Sequence, residues 1–264
     1  MRRFVLCAVL SGCAGAWAAA PVPRPGATLT GDPEALALVA KVVKAMGGEE
    51  GLAKRRQLYM EQQVQIAGLT VETCMWVKGE KQRIEQRMGS LPGAPLTVIF
   101  DGKELFLLVN GEKRDPGETL TKAFHAERKR YDIWWDCREK PFKVKSLGTQ
   151  KIAPSEGAEE RELALLEFTH PDKDTTTVGI DPASSQPVYA AYRGPHPQTG
   201  KVIPWAQWLG DFAPFESAGG LVFPRTMEIV QEGRRLSTAK LKTVKTSAEI
   251  PDSLFAAEAA RPID

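Results

Sequence analysis

The chain has 264 residues, with 35 Lys and Arg against 33 Asp and Glu, so its formal net charge is +2. Loss of Arg2 and Arg3 with an N-terminal leader would bring that charge to zero. A chain so evenly balanced lacks the basic surface that nucleic-acid binding requires. We therefore expect no nucleic-acid partner.

The N-terminus is typical of an export signal. Two arginines precede an apolar run over residues 4–10, and Ala16-Trp17-Ala18 fits a signal peptidase site. Residues 1–18 are therefore predicted to be a signal peptide that delivers the protein to the periplasm. A second processing route stays open, because Leu10-Ser11-Gly12-Cys13 resembles a lipobox. By that route Cys13 would be lipidated and would anchor the protein in the outer membrane.

Four cysteines are present. Either route removes Cys7, and Cys13 is removed or lipidated, which leaves Cys74 and Cys137. Two thiols in an oxidising compartment favour a disulfide, and we predict one between these residues. Two cysteines alone cannot form a four-ligand zinc site, and we expect neither a metal nor a cofactor.

One helix is predicted near the start of the mature chain. Residues 19–31 are rich in proline and are interpreted as an extended tether. Asp32 then suits the N-cap of a helix, and Pro33 suits its first helical position. Gly47-Gly48 is typical of a helix end. A short second helical turn is expected from Glu49 to Arg55. Residues 32–264 are predicted to form a single domain.

The hydrophobic period changes from helical to alternating near Leu58, which predicts strands with one apolar face. Such strands are expected over residues 58–66 and 71–77, and further strands over residues 81–88, 96–100 and 105–109. Asp101-Gly102 and Asn110-Gly111 favour tight turns between the later ones. Consecutive strands joined by short turns are typical of an antiparallel meander.

The second half of the chain adds one more helix and further strands. Pro116 to Arg130 favours a helix, and Tyr131 to Trp135 is a compact aromatic segment. Strand candidates follow over residues 142–147, 161–169, 175–181, 188–193, 202–212, 221–230 and 235–244. The sequence thus predicts a mainly β (α+β) fold. We expect a half-open, strongly curved antiparallel β-barrel of about ten or eleven strands, with two or three helices on its concave face.

No catalytic motif is present in the sequence. The nucleophile elbow G-x-S-x-G, the zinc motif H-E-x-x-H and a phosphate loop are all missing. His125 is interpreted as a surface residue, and His170 and His196 as turn residues. We therefore expect no enzyme activity and assign no catalytic residue.

Two kinds of charged segment are assigned ordinary structural roles. Asp172, Asp174 and Asp181 offer oxygen ligands of the kind that calcium prefers, but their spacing favours turn capping. The basic runs at residues 54–56 and 128–130 are interpreted as solvated helix faces. The alternative is that these runs contact an acidic partner or lipid headgroups.

Several predicted strands are apolar on both faces, Leu105 to Val109 among them, and such strands are covered on both sides. A filled core explains this pattern, and the alternative is an apolar ligand held between helix and sheet. If a cavity exists, side-chain parity places it between the first helix and the early meander. The lining would be Leu36, Val39 and Val43 from the helix, and Met60, Val64, Met75, Val98, Phe100 and Leu107 from the sheet.

Several local motifs occur in a particular order along the chain. They are a helix ending in Gly-Gly, an Asp-Gly hairpin, an Asp turn followed by Pro-Val, a Gly-apolar-x-Pro strand and a terminal Pro-Asp-x-x-Phe. In that order they occupy residues 45–52, 100–103, 178–189, 220–225 and 251–255. This order resembles the LolA/LolB-like superfamily of envelope lipoprotein carriers and receptors, in its broad uncharacterised branch.

The resemblance spans roughly residues 35–256 and implies a half-open β-barrel whose helices close a concave, apolar mouth. Characterised members carry or receive lipoproteins there, and no catalytic residue is implied. We therefore expect a periplasmic or outer-membrane-associated, monomeric binding protein for a lipid or for lipoprotein acyl chains. The alternative is an envelope scaffold or regulatory module with a filled core that binds a protein partner.

Overall fold

The computed structural model describes residues 29–88, 95–131, 133–155, 157–246 and 249–256. The predicted signal peptide and the lipidation site Cys13 lie outside these residues. The described part contains four α-helices, which are α1 (Pro33–Ala45), α2 (Gly48–Lys54), α3 (Gly117–Tyr131) and α4 (Ile133–Glu139). Among these, no helix is both long enough and apolar enough to span a membrane.

Helix α1 begins and ends where the sequence predicts. The Asp32 carboxylate accepts a hydrogen bond from the Ala35 backbone N–H at 2.7 Å, and Pro33 is the first helical residue. The other Asp32 oxygen accepts from the Ser146 N–H at 3.0 Å, which fixes the start of the helix to a distant strand. Gly47 ends this region with φ of 98°, a conformation that glycine adopts without steric cost.

The strands follow in chain order. They are β1 (Thr30–Gly31), β2 (Gln57–Ile66), β3 (Leu69–Lys78), β4 (Lys81–Met88), β5 (Leu96–Phe100), β6 (Leu105–Val109), β7 (Glu112–Arg114), β8 (Lys143–Ile152), β9 (Arg161–Thr169), β10 (Thr175–Ile180), β11 (Pro187–Pro195), β12 (Val202–Gly210), β13 (Ala213–Phe215), β14 (Leu221–Phe223), β15 (Thr226–Gln231) and β16 (Arg234–Lys245). Two short 3-10 helices cover Glu216–Ala218 and Asp252–Phe255.

Fourteen of these strands form one sheet in the order β1-β8-β9-β10-β11-β12-β15-β16-β2-β3-β4-β5-β6-β7. Neighbouring strands are antiparallel, except that β1 runs parallel to β8. The sheet is curved and open rather than a closed barrel. Strands β13 and β14 pair separately as a small hairpin. The pairing of β16 with β2 joins the second half of the chain to the early meander.

One face of the sheet, here called the inner face, is covered by the helices. At one end, α3 contacts β11 and joins apolar side chains of β2 to β6, β15 and β16 in the α3 cluster, which includes Met60, Met75, Val98 and Phe124. At the other end, α1 and α4 pack on strands β8 to β10 and form the α1 cluster, which includes Val39, Trp134, Phe168 and Val178. The inner face therefore carries two separate apolar cores.

The opposite face of β3 to β6 is covered by the C-terminal segment. Leu254 and Phe255 pack there with Ile99 and Leu108. Beneath them Arg83 forms a salt bridge with Glu85 at 2.6 Å and donates to the Leu254 carbonyl at 3.0 Å. The Pro-Asp-x-x-Phe motif at residues 251–255 thus closes a buried ion pair against the sheet.

The fold class is the predicted one, with more elements than the sequence indicated. The aromatic segment after Tyr131 is helix α4, because its side chains turn onto the α1 cluster. Thr30–Gly31, assigned to the tether, adds a two-residue strand to the sheet edge. The short strands β7, β13 and β14 were not anticipated as separate strands, since three residues give too little alternation to recognise.

The predicted disulfide is wrong for this structure. Cys74 and Cys137 are both free thiols. Cys74 is half-buried on β3, where its sulfur accepts from the Tyr59 hydroxyl at 3.6 Å, whereas Cys137 is buried on α4 within the α1 cluster. Spacing along the chain could not show that one residue lies on a strand of the meander and the other on a helix of the α1 cluster.

Candidate functional site

A row of paired residues across the inner face explains why the two clusters do not meet. Leu166, Val178, Ala190, Gln207 and Ile229 lie side by side on five neighbouring strands. The outer members are large and apolar, but the third is an alanine and the fourth an amide. Because side-chain volume falls at Ala190, the sheet leaves space beneath the helices between the α1 cluster and the α3 cluster.

Helix α3 covers this space with small residues. Its Leu120 and Phe124 are buried in the α3 cluster, while Ala123 and Ala126 lie beside the space. Cavity A, of about 40 Å³, lies between them and the sheet. Its lining is Ala123, Ala126, Glu127, Arg130, Tyr131, Ala190, Tyr192, Gly194, Pro195, Trp205, Ala206, Gln207 and Ile229.

Cavity B, of about 60 Å³, adjoins cavity A. Its lining is Met46, Arg55, Arg130, Tyr131, Ile133, Trp134, Thr176, Val178, Gln186, Pro187, Tyr189, Ala190, Gln207, Leu209, Phe212 and Pro224. The two cavities share Arg130, Tyr131, Ala190 and Gln207. They are therefore two parts of one interface, here called the inner gap, between the helices and the middle of the sheet.

Both cavities are small compared with ligand pockets, which typically measure about 300–1,000 Å³. The lining is mostly apolar, but a few polar groups point to more than plain packing. The Gln207 amide donates to the Met227 sulfur at 2.7 Å. Since a thioether is a weak acceptor, this half-buried amide makes only a weak hydrogen bond with the protein there.

Arg55 is the most buried charged residue of the inner gap, with 2% of its surface exposed. It follows the last turn of α2, donates through Nη2 to the Val222 carbonyl, and lies with its guanidinium carbon 4.1 Å from the centroid of the Phe223 ring. Its Nε has no hydrogen-bond partner among the described residues. Burial lowers the pKa of Arg55 to about 9, so the guanidinium stays protonated at neutral pH.

Two further ionisable groups of the gap lie on α3. Burial raises the pKa of Glu127 to about 8, although the Tyr131 hydroxyl that donates to it and the nearby Arg130 oppose the rise. Glu127 is therefore largely protonated at neutral pH. Arg130 lies 4.2 Å above the Tyr192 ring and contacts Asp174 at 3.4 Å. At neutral pH the ionisable groups that line the gap thus carry positive charge.

The residues predicted to line a cavity are not brought together by the structure. Val39 and Val43 are buried in the α1 cluster, with Leu36 packed against it, because α1 lies on β8 to β10 rather than on the meander. The six sheet residues, Met60, Val64, Met75, Val98, Phe100 and Leu107, are all buried in the α3 cluster. None of the nine lines cavity A or cavity B. Side-chain alternation correctly predicts which face of the strands is apolar. It does not predict which helix covers each part of that face.

The residues that do line the inner gap were missed, although some carried a signal. Arg55 and Arg130 belong to the two basic runs that were interpreted as solvated helix faces, and that interpretation is wrong for both residues. Each is less than 10% exposed, and so is Arg56, which packs on the Trp135 ring and pairs with Glu139. Ala190 and Gln207 carry no local signal, because their importance comes from the register between β11 and β12.

The remaining chemistry candidates have structural roles. His125 is exposed on α3, and His170 is buried with its Nε2 2.8 Å from the Thr176 hydroxyl. Asp172 and Asp174 both pair with Lys129, and Asp172 also caps the Asp174 N–H at 3.2 Å. In the described part of the chain, no group of three or more His, Cys, Asp or Glu residues is placed to hold a metal ion.

Comparison with solved structures identifies the fold. A DUF1329 family protein from Desulfovibrio piger superposes with a TM-score of 0.55 at 10% identity, covering 86% of this chain and 99% of that one. A LolA superfamily protein from Nitrosomonas europaea superposes with a TM-score of 0.50 at 11% identity, covering 84% of this chain and 97% of that one. No protein-family model matches the sequence, and no curated protein matches it. The chain thus has a LolA/LolB-like fold, with the inner gap on its concave side.

Proposed function

We propose that this chain, with its LolA-like fold, is a non-catalytic binding protein of the bacterial cell envelope that holds the acyl chain of a lipid or lipoprotein in the inner gap. The observation that carries the proposal is the break in the inner core at Ala190. Two clusters pack densely on either side of it, and the space between them has a mostly apolar lining. The predicted signal peptide supports the envelope location.

Binding an acyl chain requires the gap to widen, because cavities A and B are each too small for it. Helix α3 is the element placed to move. It covers the gap with Ala123 and Ala126, and it holds the half-buried Glu127 and the buried Arg130 at the edge of the gap. Burying ionisable groups is costly, so the closed position of α3 is less stable than an apolar contact of the same area. An incoming chain would replace that contact.

The energetics suit a carrier that must release its ligand. Each methylene of the ligand that becomes buried contributes about 0.8 kcal/mol to the binding free energy. Displacing α3 would offset part of that gain. A chain of ordinary length would therefore bind reversibly. The row of Ala190 and Gln207 would lie along the ligand, while the α1 cluster and the α3 cluster would remain folded on either side.

The test uses N-phenylnaphthylamine, a neutral fluorophore whose emission rises in apolar surroundings. Ala190→Leu fills the inner gap from the sheet side, and we expect it to weaken probe binding at least about tenfold. Ala191→Leu is the matched control, since the neighbouring residue lines a groove on the opposite face of the sheet. That control should bind the probe like the parent.

Thermal unfolding of all three proteins shows whether folding is retained. Equal probe binding by the parent and Ala190→Leu would place the site elsewhere. If the parent binds no probe at all, the proposal is wrong, and the filled-core scaffold that binds a protein partner becomes the better interpretation.

A further inference from the structure

Arg55 is a buried cation that has no counter-ion in the part of the chain that the structure describes. The structure forms no ion pair between Arg55 and any carboxylate of the described residues. The guanidinium is held by the Val222 carbonyl and by the face of the Phe223 ring, and its Nε remains unpaired. The other buried arginines have counter-ions, because Arg83 pairs with Glu85 at 2.6 Å, Arg56 with Glu139 at 3.5 Å and Arg130 with Asp174 at 3.4 Å. The Nε atoms of Arg56 and Arg130 also lack a hydrogen-bond partner among the described residues, so the missing counter-ion is what distinguishes Arg55.

An uncompensated buried charge is expensive, and proteins usually pair it or neutralise it. Neutralisation does not occur here, because even the lowered pKa of about 9 leaves Arg55 protonated at neutral pH. The Phe223 ring provides a cation–π contact, which partly offsets the cost of burial. An anion bound to Arg55 would offset the remaining free-energy cost of burying the guanidinium charge. It would also accept a hydrogen bond from the Arg55 Nε–H.

Among the residues that the structure describes, the inner gap holds no carboxylate that would compete for Arg55 in its charged form. Apart from tyrosines, the described ionisable residues that line the gap are Arg55, Arg130 and Glu127. Glu127 is mostly neutral, because burial raises its pKa to about 8. Asp174, which contacts Arg130 at 3.4 Å, is also bound by Lys129. The gap thus combines an apolar lining with positive charge.

We propose that the ligand of the inner gap is an anionic amphiphile, whose acidic headgroup binds Arg55 while its apolar chain lies under α3 along Ala190 and Gln207. This rests on the proposed function and adds the headgroup chemistry to it. A guanidinium presents its donors as a planar fork that matches a carboxylate or a phosphate. The acidic group therefore belongs to one of these two chemical types.

The experiment compares ligands of equal chain length by displacement of N-phenylnaphthylamine from the full mature chain. The ligands are palmitate, hexadecyl phosphate and the uncharged hexadecanol. We expect at least one of the two anions to bind about tenfold or more tightly than the alcohol. The relative strength of palmitate and hexadecyl phosphate identifies the headgroup type. Equal affinities for the alcohol and both anions would overturn the headgroup proposal while leaving the proposed function intact.

Variants assign the preference to one residue. Arg55→Met should abolish the preference for the anion and still bind the neutral probe, whereas Arg55→Lys should retain part of it. Arg56→Met is the matched control, because Arg56 is also buried but pairs with Glu139 and does not line the gap. If Arg55→Met does not fold, Arg55→Gln takes its place, since the amide keeps hydrogen-bond donors but carries no charge. An undiminished preference in either folded, uncharged variant would refute the role of Arg55.

Discussion

The Phe124 ring of helix α3 lies 5.6 Å, centroid to centroid, from the Phe100 ring of strand β5, at an angle of 50°. Both side chains are less than 5% exposed and belong to the α3 cluster. This contact fixes one side of α3 to the meander, while the other side of the helix borders the inner gap. In the proposed opening of α3, the strength of this contact would set how readily the helix moves.

Truncation of that contact should loosen α3 before it unfolds the sheet. We expect Phe124→Ala to lower the free energy of unfolding by about 3–4 kcal/mol, because it removes a buried ring and leaves a cavity. Amide hydrogen exchange within α3 should accelerate more than exchange within β2 and β3. Lys122→Ala on the exposed face of α3 is the control and should change stability by less than about 0.5 kcal/mol. Uniform acceleration across the protein would contradict a separately opening helix.

The buried ion pair beneath the C-terminal segment should be sensitive to loss of one partner. Arg83→Met leaves the Glu85 carboxylate buried without its cation. We expect the free energy of unfolding, measured by chemical denaturation, to fall by about 3–5 kcal/mol. Arg114→Met removes a comparable pair with Glu112 on the surface, where both side chains are more than half exposed. In that control variant the free energy of unfolding should fall by less than about 1 kcal/mol. Similar losses in the two variants would argue against a buried pair.

Glu127 should make the folded protein less stable as pH rises. Burial raises its pKa from 4.5 to about 8 in the folded protein. As pH rises, Glu127 therefore loses its proton in the unfolded chain at a lower pH than in the folded protein, which lowers the free energy of unfolding. Relative to Glu127→Gln, the wild-type protein should lose about 1–3 kcal/mol of stability between pH 4.5 and pH 8. Urea denaturation of both proteins across this range measures the difference. A difference that stays constant with pH would show that Glu127 ionises normally.

The two thiols should differ in reactivity and should not stabilise the fold as a disulfide. Burial raises the pKa of Cys137 to about 12, and only 2% of this residue is exposed, whereas Cys74 is half-buried. In the native protein a thiol reagent should modify Cys74 at least about tenfold faster than Cys137, and both should react after unfolding. A reducing agent should leave the Tm unchanged. A clear fall in the Tm on reduction would show that Cys74 and Cys137 do form a stabilising disulfide.

Local signals in the sequence determined much of the secondary structure. The Asp32 cap, Pro33 and the Gly47-Gly48 end mark α1 within a few residues, because capping and left-handed turns depend on neighbouring residues. Alternation likewise located β2 and β3, since a half-buried strand repeats every two residues. The ordered motifs along the chain pointed to the LolA-like fold.

Only the tertiary structure decided which faces meet. The same apolar stripe on α1 would pack equally well on the meander or on β8 to β10, and the choice depends on contacts such as that of Asp32 with Ser146, 114 residues away. Likewise the strand register sets Ala190 beside Gln207, and the β13–β14 hairpin contacts Arg55 through Val222 and Phe223. Periodicity fixes which side of an element is apolar, but the partner of that side depends on residues far apart in the chain, and the inner gap is made from such distant partners.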